Sequence, residues 1–338
     1  MRKKIMFLAF LIVVLLGCTS KNVKKAKEFI DLKMYKEAIS LLELEVLSDP
    51  KSTDVNLMLG ECYLAIDDTS KSNEIFNRLL IIDSDLKPTI GYIYYKKSRY
   101  CDSIANIGLA KKYAKLSYMN NPTHKTYYEN ILKKYAPPTD GLMGYWPFNG
   151  NGNDESGKGS NMTVTGAILT TDRFEKANCA YDFHGENSYM KFNVNNFEGL
   201  YSPLTLSVWA KLKTNTVQPQ NIIALGNILS RNSTQFGFRN GNVCAWRYGG
   251  IPLVKHRLAS INIWHHYVYS FDGINHKLYI NNVQVATTKA KTDRAVPKVG
   301  WIGMWNMNEF FNGQIDDIRI YNRSLSTSEI SQLYYEMD

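Results

Sequence analysis

The stretch Gly141–Asn161, GLMGYWPFNGNGNDESGKGSN, separates two kinds of sequence. Up to Phe148 it alternates apolar residues as a strand does. From Asn149 to Asn161 it is nearly all Asn, Gly, Asp and Ser, the residues of turns and loops. A strand therefore runs directly into a long polar loop. Before this stretch apolar residues recur at helical spacing, and after it they come in short runs broken by turn residues. Pro137-Pro138, just upstream, forbids helix continuation and forms a short stiff linker.

The chain of 338 residues is 44% hydrophobic and 21% charged, which suits two folded units, each with its own core. The formal charge is +9, of which Arg2, Lys3 and Lys4 supply three, and the remaining charges of both signs are interspersed. A nucleic-acid binder concentrates its basic residues on one face or arm, and no such cluster is present, so nucleic acid is not an expected partner.

Arg2–Lys4 precede the apolar run Ile5–Leu16, which is shorter than the roughly 20 residues of a membrane span and reads as a secretory leader. Its end, Leu15-Leu16-Gly17-Cys18, resembles the lipobox of bacterial lipoproteins. That resemblance implies cleavage after residue 17, acylation of Cys18, and a protein tethered to a membrane surface without spanning it. Thr19 is not the Asp that holds some lipoproteins in the inner membrane, so an outer-membrane envelope location is expected, with the face left open. Cys62, Cys101, Cys179 and Cys244 follow no metal-binding spacing. They read as buried thiols, with pairing of Cys62 with Cys101 or Cys179 with Cys244 permitted by an oxidising exterior.

Between residues 18 and 136, Ala26, Phe29, Ala38, Leu42 and Pro50 are followed 34 positions later by Gly60, Tyr63, Ser72, Phe76 and Ser84. A looser third unit, Ser98, Cys101, Ala110, Ala114 and Pro122, is displaced by four further residues. Small residues let paired helices approach, aromatics fill the space beside them, and His124–Tyr135 reads as an end helix. The period and the phrases YKEAISLLE, LGECYLA and AKKYAKLSYMNNP resemble tetratricopeptide repeats. The resemblance implies either a peptide-binding groove or a spacer. Lys96, Lys97 and Arg99, like Lys111, Lys112 and Lys115, are assigned to a solvated face.

From residue 141 to 338, past a linker at 137–140, strands are expected at Met162–Leu169, Ala180–Phe183, Tyr189–Phe192, Leu204–Leu212, Ile222–Leu225, Gln235–Phe238, Asn242–Trp246, Trp264–Phe271, Lys277–Ile280, Val283–Thr288, Lys298–Met304 and Gly313–Tyr321. Many short strands joined by turns indicate an antiparallel sandwich. In Leu204–Trp209, Leu204, Leu206 and Val208 share one face and Thr205, Ser207 and Trp209 the other. Asn281-Asn282 reads as a tight hairpin turn, and Ser326 with Glu329 as a capping box opening a helix at Thr327–Glu336. The phrases IDDIRIYNRSLSTSEI, WHHYVYSFDG and KLYINNVQVAT, with the opening stretch, resemble the laminin G-like, concanavalin A-like jelly rolls of bacterial surface proteins over about Thr139–Asp338. The expected fold class is thus multidomain: an all-α tetratricopeptide-like array followed by an all-β antiparallel jelly-roll sandwich.

That resemblance implies a binding role. Catalysis on this fold uses two Glu around an Asp, E-x-D-x-x-E, to set two carboxyls about 5 Å apart, whereas Gln314–Arg319 contains no glutamate and Glu309 lies outside the strand register. The chain is read as no enzyme, a degenerate glycoside hydrolase being the remote alternative. His265-His266 alternate across a strand and cannot share one ion. Trp246, Arg247 and Tyr248, and Trp305, Asn306 and Asn308, place flat rings beside amide and guanidinium groups, a combination that stacks on and bonds to sugars. In the competing and favoured reading Trp246 and Trp301 sit in the core, and Trp305 is the ring expected to be exposed. The expected partners are a membrane through Cys18, a glycan at the sandwich and a protein at the helical groove. A structural calcium ion on Asn149, Asn153, Asp154 and Asp316, with Asp317 facing away, competes with the reading in which these side chains satisfy turn backbone.

Overall fold

The computed structural model describes residues 20–195, 197, 203–226, 233–246, 252–258, 260–289, 299–305, 307 and 309–336. The chain forms two compact units, one ending at Tyr135 and one starting at Ala136.

In the first unit the described helices are α1 Lys21–Asp31, α2 Tyr35–Ser48, α3 Thr53–Ala65, α4 Thr69–Ile82, α5 Lys87–Ser103, α6 Ile107–Asn120 and α7 Lys125–Lys134. They form three hairpins and an end helix. Lys33, Asp67 and Ala105 turn the hairpins with the same left-handed backbone, φ 59°, 64° and 54°. Helices α2 and α4, 14 residues each, start 34 positions apart, and α6, also 14 residues, starts 38 after α4. The periodic small residues do what their size allows. Ala26, Ala38, Ser72, Ser98, Ala110 and Ala114 are buried, and a Cβ on Gly60 would sit 2.4 Å from Phe76 Cε1. Ser98 Oγ donates to the Ala110 carbonyl at 2.7 Å, fastening α5 to α6. Lys111 departs from expectation: it is buried. The four cysteines are buried and no disulfide joins them, and burial pushes the Cys62 and Cys244 thiols up to about 12. Among the described residues no helix is long and apolar enough to cross a membrane.

The second unit is a sandwich of two antiparallel sheets. The first runs Val283–Lys289, Asn275–Ile280, His265–Phe271, Leu204–Leu212, Asn312–Tyr321, Ala180–His184, Ile168–Thr170, with Leu142–Trp146 paired along the distal half of Asn312–Tyr321. The second runs Pro252–Arg257, Asn242–Trp246, Thr234–Arg239, Gln220–Gly226, Val299–Ile302, Tyr189–Asn193, Thr163–Thr165. Their facing sides interdigitate through Leu204, Leu206, Val208, Ile223, Phe236 and Ile318 among others. Gly300 belongs to this interface, since a Cβ there would lie 2.0 Å from Phe192 Cζ.

Two expectations change. The single strand Met162–Leu169 is two strands in different sheets, because Gly166 at φ 68° turns the chain between them. Pro252–Arg257 is an additional strand at a sheet edge, where a proline at its first position removes no interior ladder bond. Elsewhere local chemistry acts as read. Asn281 and Asn282 adopt φ 49° and 68°, and Ser326 and Glu329 form the reciprocal capping box of α8 Thr327–Tyr334. Thr205, Ser207 and Trp209 turn away from the core. Residues Ile330 and Leu333 of α8 pack with Val268, Tyr279 and Tyr321 on that outer side of the first sheet.

Candidate functional site

The outer side of the second sheet is built by strict alternation. Met190, Phe192, Ile302, Leu225, Phe236, Val243 and Ala245 face the core, so the residues between them face out. Cross-strand pairing then sets Lys191, Trp301, Ala224, Gln235 and Trp246 in one row. Three strand spacings of about 4.8 Å place the two tryptophan positions roughly 14 Å apart, with Ala224 as a low floor between them. Trp246 is buried, whereas Trp301 is half-buried. Tyr189 meets the Trp301 ring edge-on at 5.8 Å, and Lys191 Nζ lies 5.4 Å from its centroid.

The polar groups of this face are incompletely bonded. Gln235 is buried and its Nε2 donates to Ser233 Oγ at 3.0 Å, but its Oε1 has no partner. One position along, Asn221 is buried, donates through Nδ2 to Glu309 Oε2 at 2.8 Å, and leaves Oδ1 without a partner. Trp301 Nε1 is also unbonded. Burial raises the Glu309 carboxyl above its ordinary range, while the Asn221 bond and Arg239 oppose that shift. Leaving a buried polar atom unmatched costs about 1–3 kcal/mol. A hydroxyl donor admitted to these buried amide oxygens would satisfy them, and a flat apolar surface would suit the accessible part of the Trp301 ring.

The family described as the concanavalin A-like lectin/glucanases superfamily matches residues 184–331. No curated protein matches the sequence. Among solved structures, domain 4 of AbnA, a GH43 extracellular arabinanase from Geobacillus stearothermophilus, in complex with arabinotriose, is 22% identical, with a TM-score of 0.47 over 57% of this chain and 98% of that one. The receptor binding domain of botulinum neurotoxin D is 18% identical, with a TM-score of 0.48 over 58% of this chain and 52% of that one. The binding domain of botulinum neurotoxin DC in complex with SialylT is 16% identical, with a TM-score of 0.48 over 58% and 51%. Nothing about a ligand of this chain follows at these scores.

Trp305, expected to be exposed, is buried. Its carbonyl accepts the Glu309 amide at 3.1 Å, and the ring packs inside instead of facing solvent. Trp246 lies on the outer face but under cover. Arg247, Tyr248, Asn306, Asn308 and Cys18 lie outside the described residues. The sequence reading missed Asn221, Gln235 and Tyr189 and did not select Trp301. The available signal was the alternation itself: Trp301 stands between Gly300 and Ile302, and Gln235 stands one before Phe236.

The acidic pair on Asn312–Tyr321 serves the opposite side of the sandwich. Asp316 and Asp317 do not point apart as alternation would have them, because the strand bulges between Asp316 and Arg319 with Asp317 at φ 47°. Both carboxylates hold Arg173, Asp316 through Nη1 and Asp317 at 3.2 Å from Nη2. Arg319 continues the chain to Asp317 at 2.7 Å and Glu336 at 2.6 Å. The guanidiniums lie over aromatic faces, Arg173 on Trp209 and Arg319 on Tyr145. Burial pushes Asp316 up to about 8 against the pull of Arg173, and burial with Asp317 takes Glu336 to about 7. For Asp317 burial is outweighed by Arg319 and Arg173, which hold it low.

This geometry does not fit the calcium set. Asn149 and Asp316 do line one small polar cavity of about 50 Å³, but the Arg173 guanidinium already neutralises Asp316 there. Asp154 spends Oδ1 on the amides of Tyr145 and Ser156, at 3.0 and 2.9 Å, and Oδ2 on that of Ser160 at 2.9 Å. Within the same loop the backbone amide of Asn153 donates to Asn151 Oδ1 at 2.8 Å and that of Asp154 to Asn161 Oδ1 at 2.9 Å, so these side chains serve turn backbone. Among the described residues no group of three His, Cys, Asp or Glu is placed to hold a metal ion.

Proposed function

We propose that this is a non-catalytic envelope protein, lipid-anchored at Cys18 in the outer membrane, whose sandwich binds a glycan on the outer side of its second sheet. The observation that carries the reading is the half-exposed Trp301 ring, flanked by Tyr189, in one row with a buried amide that lacks a partner for its oxygen. Sugar rings stack on such faces, and their hydroxyls donate to such oxygens. The helical hairpins, read as tetratricopeptide-like repeats, then serve as a spacer. Screening the purified chain on a glycan panel, followed by Trp301→Ala, tests the reading. Selective glycan retention weakened at least tenfold by the variant is expected, and retention unchanged by it would remove this face from the function.

A second reading, an assembly scaffold with its main binding site on the helices, is favoured by one feature. The first helices of the hairpins enclose a hollow of about 380 Å³ lined by Ile30, Lys33, Met58, Ile93, Lys96 and Tyr100. Protein capture by Tyr100→Ala and parent chains, with no glycan bound by either, would favour the scaffold if the variant alone lost its partner; Tyr100 lines the hollow and is exposed.

A further inference from the structure

The second helices of the three hairpins, α2, α4 and α6, each end on the same device. Their penultimate residues are Leu47, Ile81 and Met119, large apolar side chains that are 79%, 86% and 58% exposed. Such exposure at one position would be ordinary, but recurrence at three equivalent positions makes a ladder. Helices joined by short turns run antiparallel, so the ends of α2, α4 and α6 share an edge with the beginnings of α1, α3 and α5. Helix α1 begins at Lys21, capped by Ser20, whose Oγ accepts the Val23 amide at 3.1 Å. Cys18 precedes that cap by two residues, a reach of at most ~7 Å. The acylated end of the chain and the apolar ladder therefore leave the helical unit at the same edge. The exposed charges there are of both signs, Lys21, Lys24, Lys51 and Lys87 with Asp49, Asp54, Asp83 and Asp85.

We propose that this edge is a membrane contact, in which Leu47, Ile81 and Met119 enter the interfacial region of the bilayer and stand the helical unit end-on against the lipid. The inference rests on acylation of Cys18, which supplies the tether, while the ladder supplies the orientation. Apolar side chains of an amphipathic surface sit about 5–10 Å into the headgroup and acyl boundary, a depth that side chains at helix ends reach without burying backbone.

The test uses the full chain recovered from membranes and placed in zwitterionic vesicles, carrying a polarity-sensitive dye at Ile81→Cys or, at the opposite edge, Ile104→Cys. The native thiols at Cys62, Cys101, Cys179 and Cys244 are buried, so the dye enters the introduced one. A blue shift at 81, with quenching by lipids labelled near the glycerol, and none at 104 is expected. Equal signals at both positions would overturn the proposal. So would a shift at 81 that needs no vesicles and tracks self-association, since the ladder would then belong to a second copy. A chain that is absent from membranes defeats the acylation reading instead. In that case the chain lacking its first 18 residues is mixed with the same vesicles: tenfold weaker partition of Leu47→Asp/Ile81→Asp than of the parent upholds the ladder, and equal partition ends it.

Discussion

The two outer sides of the sandwich spend their polar residues differently. On the first sheet, Asp316, Asp317 and Glu336 are matched by Arg173 and Arg319, and α8 covers Trp209 and His266, with Tyr334 stacked 5.5 Å from Trp209. On the second, Asn221 and Gln235 keep an unmatched oxygen each, and Trp301, half-buried as Trp209 is on the first, has no covering helix residue stacked on it among the contacts of the described residues. The first side is closed by the chain itself, which ties the last residues of α8 and the first strand to the sheet. The second side keeps two amide acceptors without a donor. Buried atoms without a partner occur on both sides, Trp209 Nε1 and His266 Nδ1 on the first and Asn221 Oδ1, Gln235 Oε1 and Trp301 Nε1 on the second. What separates the two is the ionic clasp with its covering helix on the first and the row of Trp301, Gln235 and Trp246 on the second.

The contrast is sharpest when each side loses its central residue. Arg173→Ala removes the cation between two buried carboxylates and should cost about 3–5 kcal/mol of stability, read as a large fall in denaturant midpoint. Retention of the parental midpoint would mean that the first side is not a structural clasp. Trp246→Ala and Trp305→Ala, both at buried rings, should each cost roughly 3–5 kcal/mol, whereas Trp301→Ala should cost less than either and lose glycan retention. If Trp305→Ala left stability intact and abolished retention, the site would lie in that turn after all.

A smaller effect concerns His266, which burial drives down to about 3 from 6.5. Because the folded value is depressed, its stabilising contribution is present above pH 6.5 and is lost as pH falls toward 3. Asp316 and Glu336, raised, act in the reverse sense and lose theirs as pH climbs toward about 8 and about 7 respectively. The difference in stability between the parent and His266→Gln should therefore shrink steadily as pH drops from 6.5. A constant difference would show that His266 does not titrate against folding. Gln235→Leu, which deletes an unmatched oxygen, should be near neutral in stability yet reduce glycan retention. The smallest effect expected is that of chelation. With Arg173 on Asp316 and Asp154 bonded to backbone amides, a chelator should leave the melting temperature unmoved, and a fall restored by calcium would reinstate the ion.

Short-range order set much of this protein without help from the fold. The 34-residue spacing of Ala26 and Gly60, or of Ala38 and Ser72, placed helix contacts that are buried as expected, because steric fit between neighbouring helices is a matter of local size. Asn281-Asn282, the Ser326–Glu329 box and the alternation of Leu204–Trp209 were likewise legible, since each depends on residues a few positions apart. Tertiary structure decided what those patterns could not carry. Whether Trp305 faces water depends on what packs over its ring, and the ring is buried. Whether Asp317 joins Asp316 depends on a bulge paid no heed by strand alternation, and Arg173 reaches both from more than 140 residues away. The row from Trp246 to Trp301 exists only through the pairing of strands distant in sequence, so the sequence by itself carried the order of helices and strands, and the packing of the sheets decided which side chains stand together.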